Sequence, residues 1–256
     1  MDHALEPDPA RGVFSTMLVV DGRPVELAPH LAQLRESVRA LYAIELPDAA
    51  AELVQEEAHS FELARVRLAC RAGEDGGLLL EALARAVERT VVLPDEGLDL
   101  RSAPVERWHG AHKWVDRRLL DRLEAAAGPA SALLVARDER VLETTRANVF
   151  ALGRDGVLRT PPTDGSILPG VTRAAVMALA RERGLAVREE PLALAQLHDA
   201  CEAFATGSIR GVESVRSLDG VPVGEGVRGT LTDALAEALR VRWLAPDAAR
   251  VRAGHV

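Results

Sequence analysis

Hydrophobic and polar positions divide the chain into short segments whose period switches between two and 3.6. Residues 13–20, Val-Phe-Ser-Thr-Met-Leu-Val-Val, form a nearly unbroken run of strand-forming residues. Asp21-Gly22 suits a tight hairpin turn, and Pro24 to Leu27 is the returning strand. Behind Pro29, the apolar positions Leu31, Leu34, Val38 and Leu41 fall on one helical face. A short helix over 47–58 follows, with Pro47 near its first turn. Phe61 to Arg71 alternates, which predicts a strand with Leu63, Val66 and Leu68 facing inward. After a turn at Glu74–Gly77, residues 78–92 set propensity against position. Their Ala, Leu, Glu and Arg favour a helix, whereas a segment directly after a hairpin turn favours a strand. We expect a strand over 78–90.

Pro94-Asp-Glu-Gly97 marks a break between a small α+β part, residues 1–95, and a larger part, residues 96–256. The larger part opens with a strand from Leu98 to Trp108 that ends near Lys113. A helix follows, with Asp116 as N-cap, Val115 and Leu120 as a hydrophobic staple, and Leu119, Leu120 and Leu123 as its buried side. Gly128-Pro129 stops it. Strands are expected over 132–136, 141–152 and 157–160, followed by a loop over 161–170 and a helix from about Val171 to Arg183, with Gly184 beyond its end. A short extended piece, a helix over 192–200 and a strand over 202–206 come next. A hairpin at Asp219-Gly220 and a helix over 230–243 complete the pattern, with a frayed tail behind it.

Composition narrows the field. At 48% hydrophobic and 27% charged residues the chain reads as an ordinary soluble globular protein. Its net charge of −8 argues against nucleic acid or an anionic membrane as partner. Two isolated cysteines, Cys70 and Cys201, fit a reducing compartment and supply no zinc spacing. The first residues carry neither a basic nor an apolar targeting segment, and no apolar run approaches the ~20 residues of a membrane span. A cytoplasmic location is expected.

One stretch changes the picture. Lys113, in His109-Gly-Ala-His-Lys-Trp-Val-Asp-Arg, is the sole lysine among 31 basic residues. Arginine stays charged, whereas a desolvated lysine can lose its proton and act as a nucleophile. A stray lysine in an arginine-rich chain is the competing reading. A second site is Leu168-Pro-Gly-Val-Thr-Arg173, where Gly170 removes bulk and leaves the N–H groups of Val171 and Thr172 to face an anion, with the Thr172 hydroxyl beside them. A plain glycine-mediated helix start explains the same residues. Thr206-Gly207-Ser208 could close over that anion. Glu143 lies in an otherwise apolar or small segment, and it is either a surface carboxylate paired with Arg146 or a buried one facing a cation. Lysine, anion cradle and carboxylate together are the set that pyridoxal 5′-phosphate requires: an amine to carry it, a helix start for its phosphate, and an acid to keep its ring nitrogen protonated. His109 and His112 could be metal ligands by their spacing, but no acidic or thiol partners cluster with them, so no metal site is expected.

The chain resembles the class IV fold-type of pyridoxal-phosphate enzymes, which contains 4-amino-4-deoxychorismate lyase, branched-chain aminotransferases and D-amino-acid aminotransferases. The resemblance runs in order through Gly12-Val-Phe-Ser-Thr, His30-Leu-Ala-Gln-Leu, His112-Lys-Trp-Val-Asp-Arg, Leu142-Glu-Thr-Thr-Arg-Ala-Asn-Val-Phe, Thr160-Pro-Pro, Ile167-Leu-Pro-Gly-Val-Thr-Arg and Ala205-Thr-Gly-Ser-Ile-Arg-Gly-Val. It implies a two-domain α+β fold of the D-amino-acid-aminotransferase-like type, with a small N-terminal α+β domain and a larger barrel-like α/β domain. By the same likeness Lys113 carries the cofactor, Glu143 meets its ring nitrogen, and Leu168, Val171, Thr172 and Ser208 surround it. A homodimer with active sites near the subunit interface is implied as well. The chain departs from the family at three places. Gln33 stands where the family usually has a phosphate-binding Arg, with Arg35 or an arginine of the 65–67 strand as substitutes. Ser15 replaces the usual Glu. The strand that normally precedes Gly12 is missing, which leaves either a truncated start or a reduced sheet edge.

Within the family, His112-Lys-x-x-Asp-Arg and Ser208-Ile-Arg-Gly-Val look like aminodeoxychorismate lyase, and the small Gly-rich residues that follow Lys in branched-chain aminotransferases are absent. The expected substrate is then a carboxylate-bearing amine. Arg210 is a candidate for a substrate carboxylate or else a surface arginine, and Thr16 a candidate for handling the leaving group. An aminotransferase acting on branched-chain or D-amino acids is the alternative. A catalytically degenerate paralogue that serves as a binding subunit is a third reading.

Overall fold

The structure, a computed structural model, describes residues 6–106 and 108–244. The expected fraying beyond the last helix falls outside those residues. The apolar run 13–20 is a strand, β1 (Val13–Val20), which turns through Asp21-Gly22 into the short β2 (Arg23–Pro24). Helices α1 (Leu27–Tyr42) and α2 (Ala49–Ala58) follow, then β3 (Leu63–Ala72) and β4 (Leu78–Ala86). These strands make an antiparallel sheet in the order β2-β1-β3-β4. β4 is a strand despite its helix-favouring composition. It pairs with β3 along its whole length, and a continuous ladder outweighs propensity differences of a few tenths of a kcal/mol per residue.

The second sheet uses β5 (Leu98–Val105), β6 (Ser131–Ala136), β7 (Arg140–Thr144), β8 (Asn148–Leu152), β9 (Leu158–Thr160), β10 (Val187–Glu189), β11 (Leu192–Ala193), β12 (Glu202–Gly207), β13 (Gly211–Leu218) and β14 (Val221–Pro222). Between and after them lie α3 (Arg118–Ala127), α4 (Val171–Glu182), α5 (Leu194–His198) and α6 (Thr230–Leu244). Pairings run β8-β12-β13-β5-β6-β7. Glu143 opposite Asn148 then joins β7 back to β8, which closes the sheet into a barrel. The closure point is a pair of polar residues.

Side-chain alternation sets how the sheets meet. Val13, Met17 and Val19 of β1, with Val66 and Leu68 of β3, pack beneath Leu34, Val38 and Val54 of the two helices. The opposite face of β1 sends Leu18 into a cluster with Val176 of α4, Phe204 of β12 and Leu239 of α6. Leu63 joins this second cluster, so it faces away from Val66 and Leu68 rather than with them. The expected inward set was off by one residue at that end, because the strand's first residue, Leu63, differs in parity from Val66 and Leu68. Phe14 and Thr16 share the face of Leu18 and so point towards the second sheet.

Other expectations shift locally. Asp116 is not the N-cap residue of α3, a position held by Arg117. Its carboxylate still accepts the Arg118 N–H at 3.3 Å, and the Arg118 guanidinium holds its carboxyl far below the usual range. α3 buries Leu120 and Ala127 while Leu119 and Leu123 stay half-buried. The single strand expected over 141–152 is two, because the Thr144 hydroxyl accepts the N–H groups of Arg146 (3.2 Å) and Ala147 (2.8 Å) and folds a turn there. Residues 192–200 divide into β11 and the short α5. β13 begins at Gly211, ahead of the hairpin segment legible at 215–218.

Candidate active site

Lys113 is placed by the edge of β1. The Phe14 N–H donates to the Lys113 carbonyl at 2.8 Å and the Val115 N–H to the Gly12 carbonyl at 2.9 Å. The lysine segment therefore continues the small sheet while its side chain enters a cleft between that sheet and the barrel. The Lys113 ammonium lies 5.2 Å from the Phe14 ring centroid, and the Arg67 guanidinium sits over the same ring at 3.7 Å. The lysine surface that remains accessible opens into the cleft. Burial, helped by the Arg117 and Arg67 cations and opposed by Glu143, lowers its pKa from 10.5 to about 8. At neutral pH a usable fraction is the free amine.

Glu143, at the barrel closure, is 5% exposed. It does not pair with Arg146, which turns towards Glu124 at 4.0 Å. Its Oε1 accepts the Trp108 indole N–H at 2.9 Å, and its Oε2 accepts Asn148 Nδ2 and the Leu168 N–H, both at 3.2 Å. Burial raises its pKa from 4.5 to about 7, and the Trp108 and Leu168 hydrogen bonds, then Lys113, hold it down. Three donors surround the carboxylate, and one of its roughly four lone-pair positions is left to accept a further N–H.

The anion cradle is formed at the start of α4. Gly170 occupies the N-cap position with no side-chain cap, and a Cβ there would displace the Asn148 amide, whose other end holds Glu143 and the Leu168 carbonyl. The hydroxyls of Thr172 and, across the cleft, Thr206 are buried without a hydrogen-bond partner. Orphaned buried hydroxyls are costly, and two of them turned to one helix start suit a phosphate. Gln33 of α1 lines the same corner and donates Nε2 to the Pro169 carbonyl at 2.6 Å. Neither Arg35 nor Arg65 lines the cleft. The cradle residues Gln33, Thr172, Thr206 and Ser208 are all neutral.

Of the residues expected from sequence, Lys113, Glu143, Leu168, Val171, Thr172 and Ser208 all line the one cleft. Thr16 does not. It stands half-buried on β1 opposite Arg67, one strand position beyond Phe14 on the same face. Arg210 is also outside the cleft lining, with its guanidinium paired to Glu213 at 2.6 Å. Residues that the sequence reading missed are Trp108 and Asn148, which hold Glu143, His30, and the cation Arg117; Arg67, offered with Arg35 and Arg65 as a phosphate partner, lies outside the cleft lining as they do. His30 is buried against Ser15 Oγ at 2.9 Å, and burial drops its pKa to about 3, so it is neutral. Asn148 stands within the Glu-x4-Asn-Val-Phe segment that signalled Glu143. Trp108 had no signal beyond its closeness to Lys113.

A desolvated lysine, a buried carboxylate with room for one more donor, and a neutral anion cradle suit pyridoxal 5′-phosphate. These features, on a small sheet packed against a barrel, define a pyridoxal-phosphate enzyme. Comparison with known proteins gives the family. The model for amino-transferase class IV matches residues 12–218, and the chain belongs to that family. A relative described as "Putative branched-chain-amino-acid aminotransferase" from Methanocaldococcus jannaschii is 30% identical over 91% of this chain and 88% of its own length. A hypothetical aminotransferase from Mycobacterium tuberculosis, solved in its PLP-bound form, superposes with a TM-score of 0.80 at 24% identity over 92% of this chain and 90% of that one. A "Putative 4-amino-4-deoxychorismate lyase" from Legionella pneumophila superposes with a TM-score of 0.77 at 23% identity over 91% of both chains. The family's enzymes use pyridoxal phosphate. Among the described residues, no helix is long and apolar enough to cross a membrane.

Proposed function

We propose that the protein is an aminodeoxychorismate lyase, releasing pyruvate and leaving 4-aminobenzoate. The observation that carries this reading is the charge around Lys113. Arg117 lines the cleft, with Asp121 3.6 Å from its guanidinium, and Arg67 stands over Phe14, outside the cleft lining, with no ion pair of its own among the described residues. Aliphatic lining is confined to Leu120, Ala147, Leu168 and Val171. Such a site suits an amine that carries carboxylates better than one with a branched aliphatic side chain.

In this proposal Lys113 would hold the cofactor, Glu143 would accept a hydrogen bond from its protonated ring nitrogen, and Val171, Thr172, Thr206 and Ser208 would hold its phosphate. A bound cofactor would supply an electron sink for the bonds that change at the substrate's amine-bearing carbon. Lys113, released as a free amine, removes the ring C–H proton. As the ring becomes aromatic, the C–O bond to the enolpyruvyl group breaks, and that group takes up a proton and leaves as pyruvate. Arg67 is the better carboxylate partner than Arg210, since Arg210 would have to surrender Glu213. The homodimer implied by the family likeness is part of the proposal.

The name of the Methanocaldococcus relative favours a second reading, an aminotransferase using the same residues. Supplying aminodeoxychorismate to the cofactor-loaded protein separates the two. Pyruvate release without an added oxo acid supports the lyase, and turnover only with an amino donor and a 2-oxo acid sinks it.

A further inference from the structure

We infer that Trp108 is a positioning residue whose indole N–H occupies one lone pair of Glu143 Oε1 and leaves the other as the single position of that carboxylate open to the cofactor ring. The inference rests on the pyridoxal-phosphate reading of the cleft. Trp108 lies in the same connection as Lys113, between β5 and α3, yet its Nε1 reaches across 35 residues of sequence to Glu143 Oε1 at 2.9 Å. Asn148 Nδ2 and the Leu168 N–H both occupy the other oxygen, Oε2. The division matters. Oε2 has both lone pairs engaged, whereas Oε1 has one engaged by Trp108 and one free. The indole thereby fixes which oxygen, and which side of it, is open. Asn148 is itself committed twice, because its Nδ2 also donates to the Leu168 carbonyl at 2.9 Å. Trp108 is thus the one side chain in the set that Glu143 does not share with another acceptor.

Charge balance gives the second part. Around Glu143 the ionisable groups that act on it are Lys113 from the preceding connection and Arg173 from α4. Arg173 is already occupied by Thr160, Pro161 and Glu189. Burial pushes the carboxyl up, and the Trp108 hydrogen bond is the largest opposing influence. Loss of the indole N–H should therefore push the carboxyl higher still and shift Glu143 from a mixed state at neutral pH towards the protonated form. A neutral Glu143 no longer attracts the Lys113 ammonium, so the lysine loses its proton more readily.

The test uses the cofactor-free protein. The pH profile of Lys113 labelling by an amine reagent, located by peptide mass spectrometry, is measured for the parent, Trp108→Phe, Glu143→Gln and the double variant. We expect W108F and E143Q to lower the labelling midpoint by similar amounts and the double variant to add nothing further. A W108F midpoint equal to the parent's, in a folded protein, overturns the inference. Should W108F fail to fold, the indole proton resonance of Trp108 in the parent decides the matter. It should titrate in the neutral range with Glu143, and a resonance unmoved by pH overturns the inference equally. A parent protein that takes up no cofactor defeats the functional reading alone, since neither measurement needs the cofactor.

Discussion

Thr172→Val is expected to stabilise the empty protein and weaken its hold on the cofactor. The Thr172 hydroxyl is buried without a partner at the start of α4, and valine has nearly its shape without the oxygen. An unsatisfied buried hydroxyl costs about 1–3 kcal/mol. Allowing for imperfect fit of the second methyl, its removal should raise the stability of the cofactor-free protein by about 1–2 kcal/mol, or roughly 2–8 °C in Tm for a chain of this size. The same oxygen is placed to donate to a phosphate, a charge-assisted bond of about 1.5–3 kcal/mol. Losing it should raise the Kd for pyridoxal phosphate about 10- to 150-fold. Thermal melts without cofactor and absorbance titrations with it measure the two effects on one preparation. Thr172→Ser separates them, keeping the hydroxyl and the affinity while losing a buried methyl. A T172V protein that is less stable when empty, or that binds the cofactor as tightly as the parent, refutes the reasoning.

Further outcomes follow from the same geometry. Lys113 should react with amine reagents with a midpoint near pH 8, and Arg117→Gln should move that midpoint upward by removing a neighbouring cation; a midpoint near 10.5 in the parent would show that the lysine is not desolvated. Because burial lowers the Lys113 pKa in the folded chain, the unfolded chain binds more protons between about pH 8 and 10.5. Stability from this group therefore rises with pH through that window. Lys113→Met should be more stable than the parent by about 3 kcal/mol below pH 8, with the advantage vanishing above 10.5, as read from urea melts at several pH values. Gln33→Arg should tighten cofactor binding and make it more salt-dependent, since it adds a cation to a neutral cradle; unchanged affinity at low salt would argue that Gln33 does not face the phosphate. Arg67→Gln should raise KM for a carboxylate-rich substrate at least tenfold with little loss of cofactor affinity, and an unchanged KM would remove Arg67 from substrate binding.

The parts of the site that were legible in the sequence are those written in short contiguous segments. The solitary Lys113, the Gly170–Thr172 helix start and the carboxylate of Glu143 could each be found because their local chemistry is unusual for their surroundings. The parts that escaped depend on contacts distant along the chain or on strand parity. Trp108 gains its role from a partner 35 residues away. The barrel closes through the pairing of Glu143 with Asn148, inside what the apolar pattern presented as one strand, because the Thr144 hydroxyl folds the intervening turn. Arg210 reads as a free guanidinium until the β12–β13 hairpin sets it beside Glu213. Leu63 reads as inward until the strand is seen to begin there, with the opposite parity. The helix-like composition of β4 was overridden by its neighbour, and only its place after a turn revealed that beforehand.

The central claim is that Lys113 carries pyridoxal phosphate in this cleft. Because the chain contains a single lysine, one measurement addresses it directly. The protein is incubated with pyridoxal phosphate, reduced with borohydride, digested and analysed by mass spectrometry. The account predicts one phosphopyridoxyl group per chain, located on the peptide that contains Lys113, and a Lys113→Ala protein that retains none. A reduced adduct confined to the N-terminal amine, or no stable adduct at all, would contradict it.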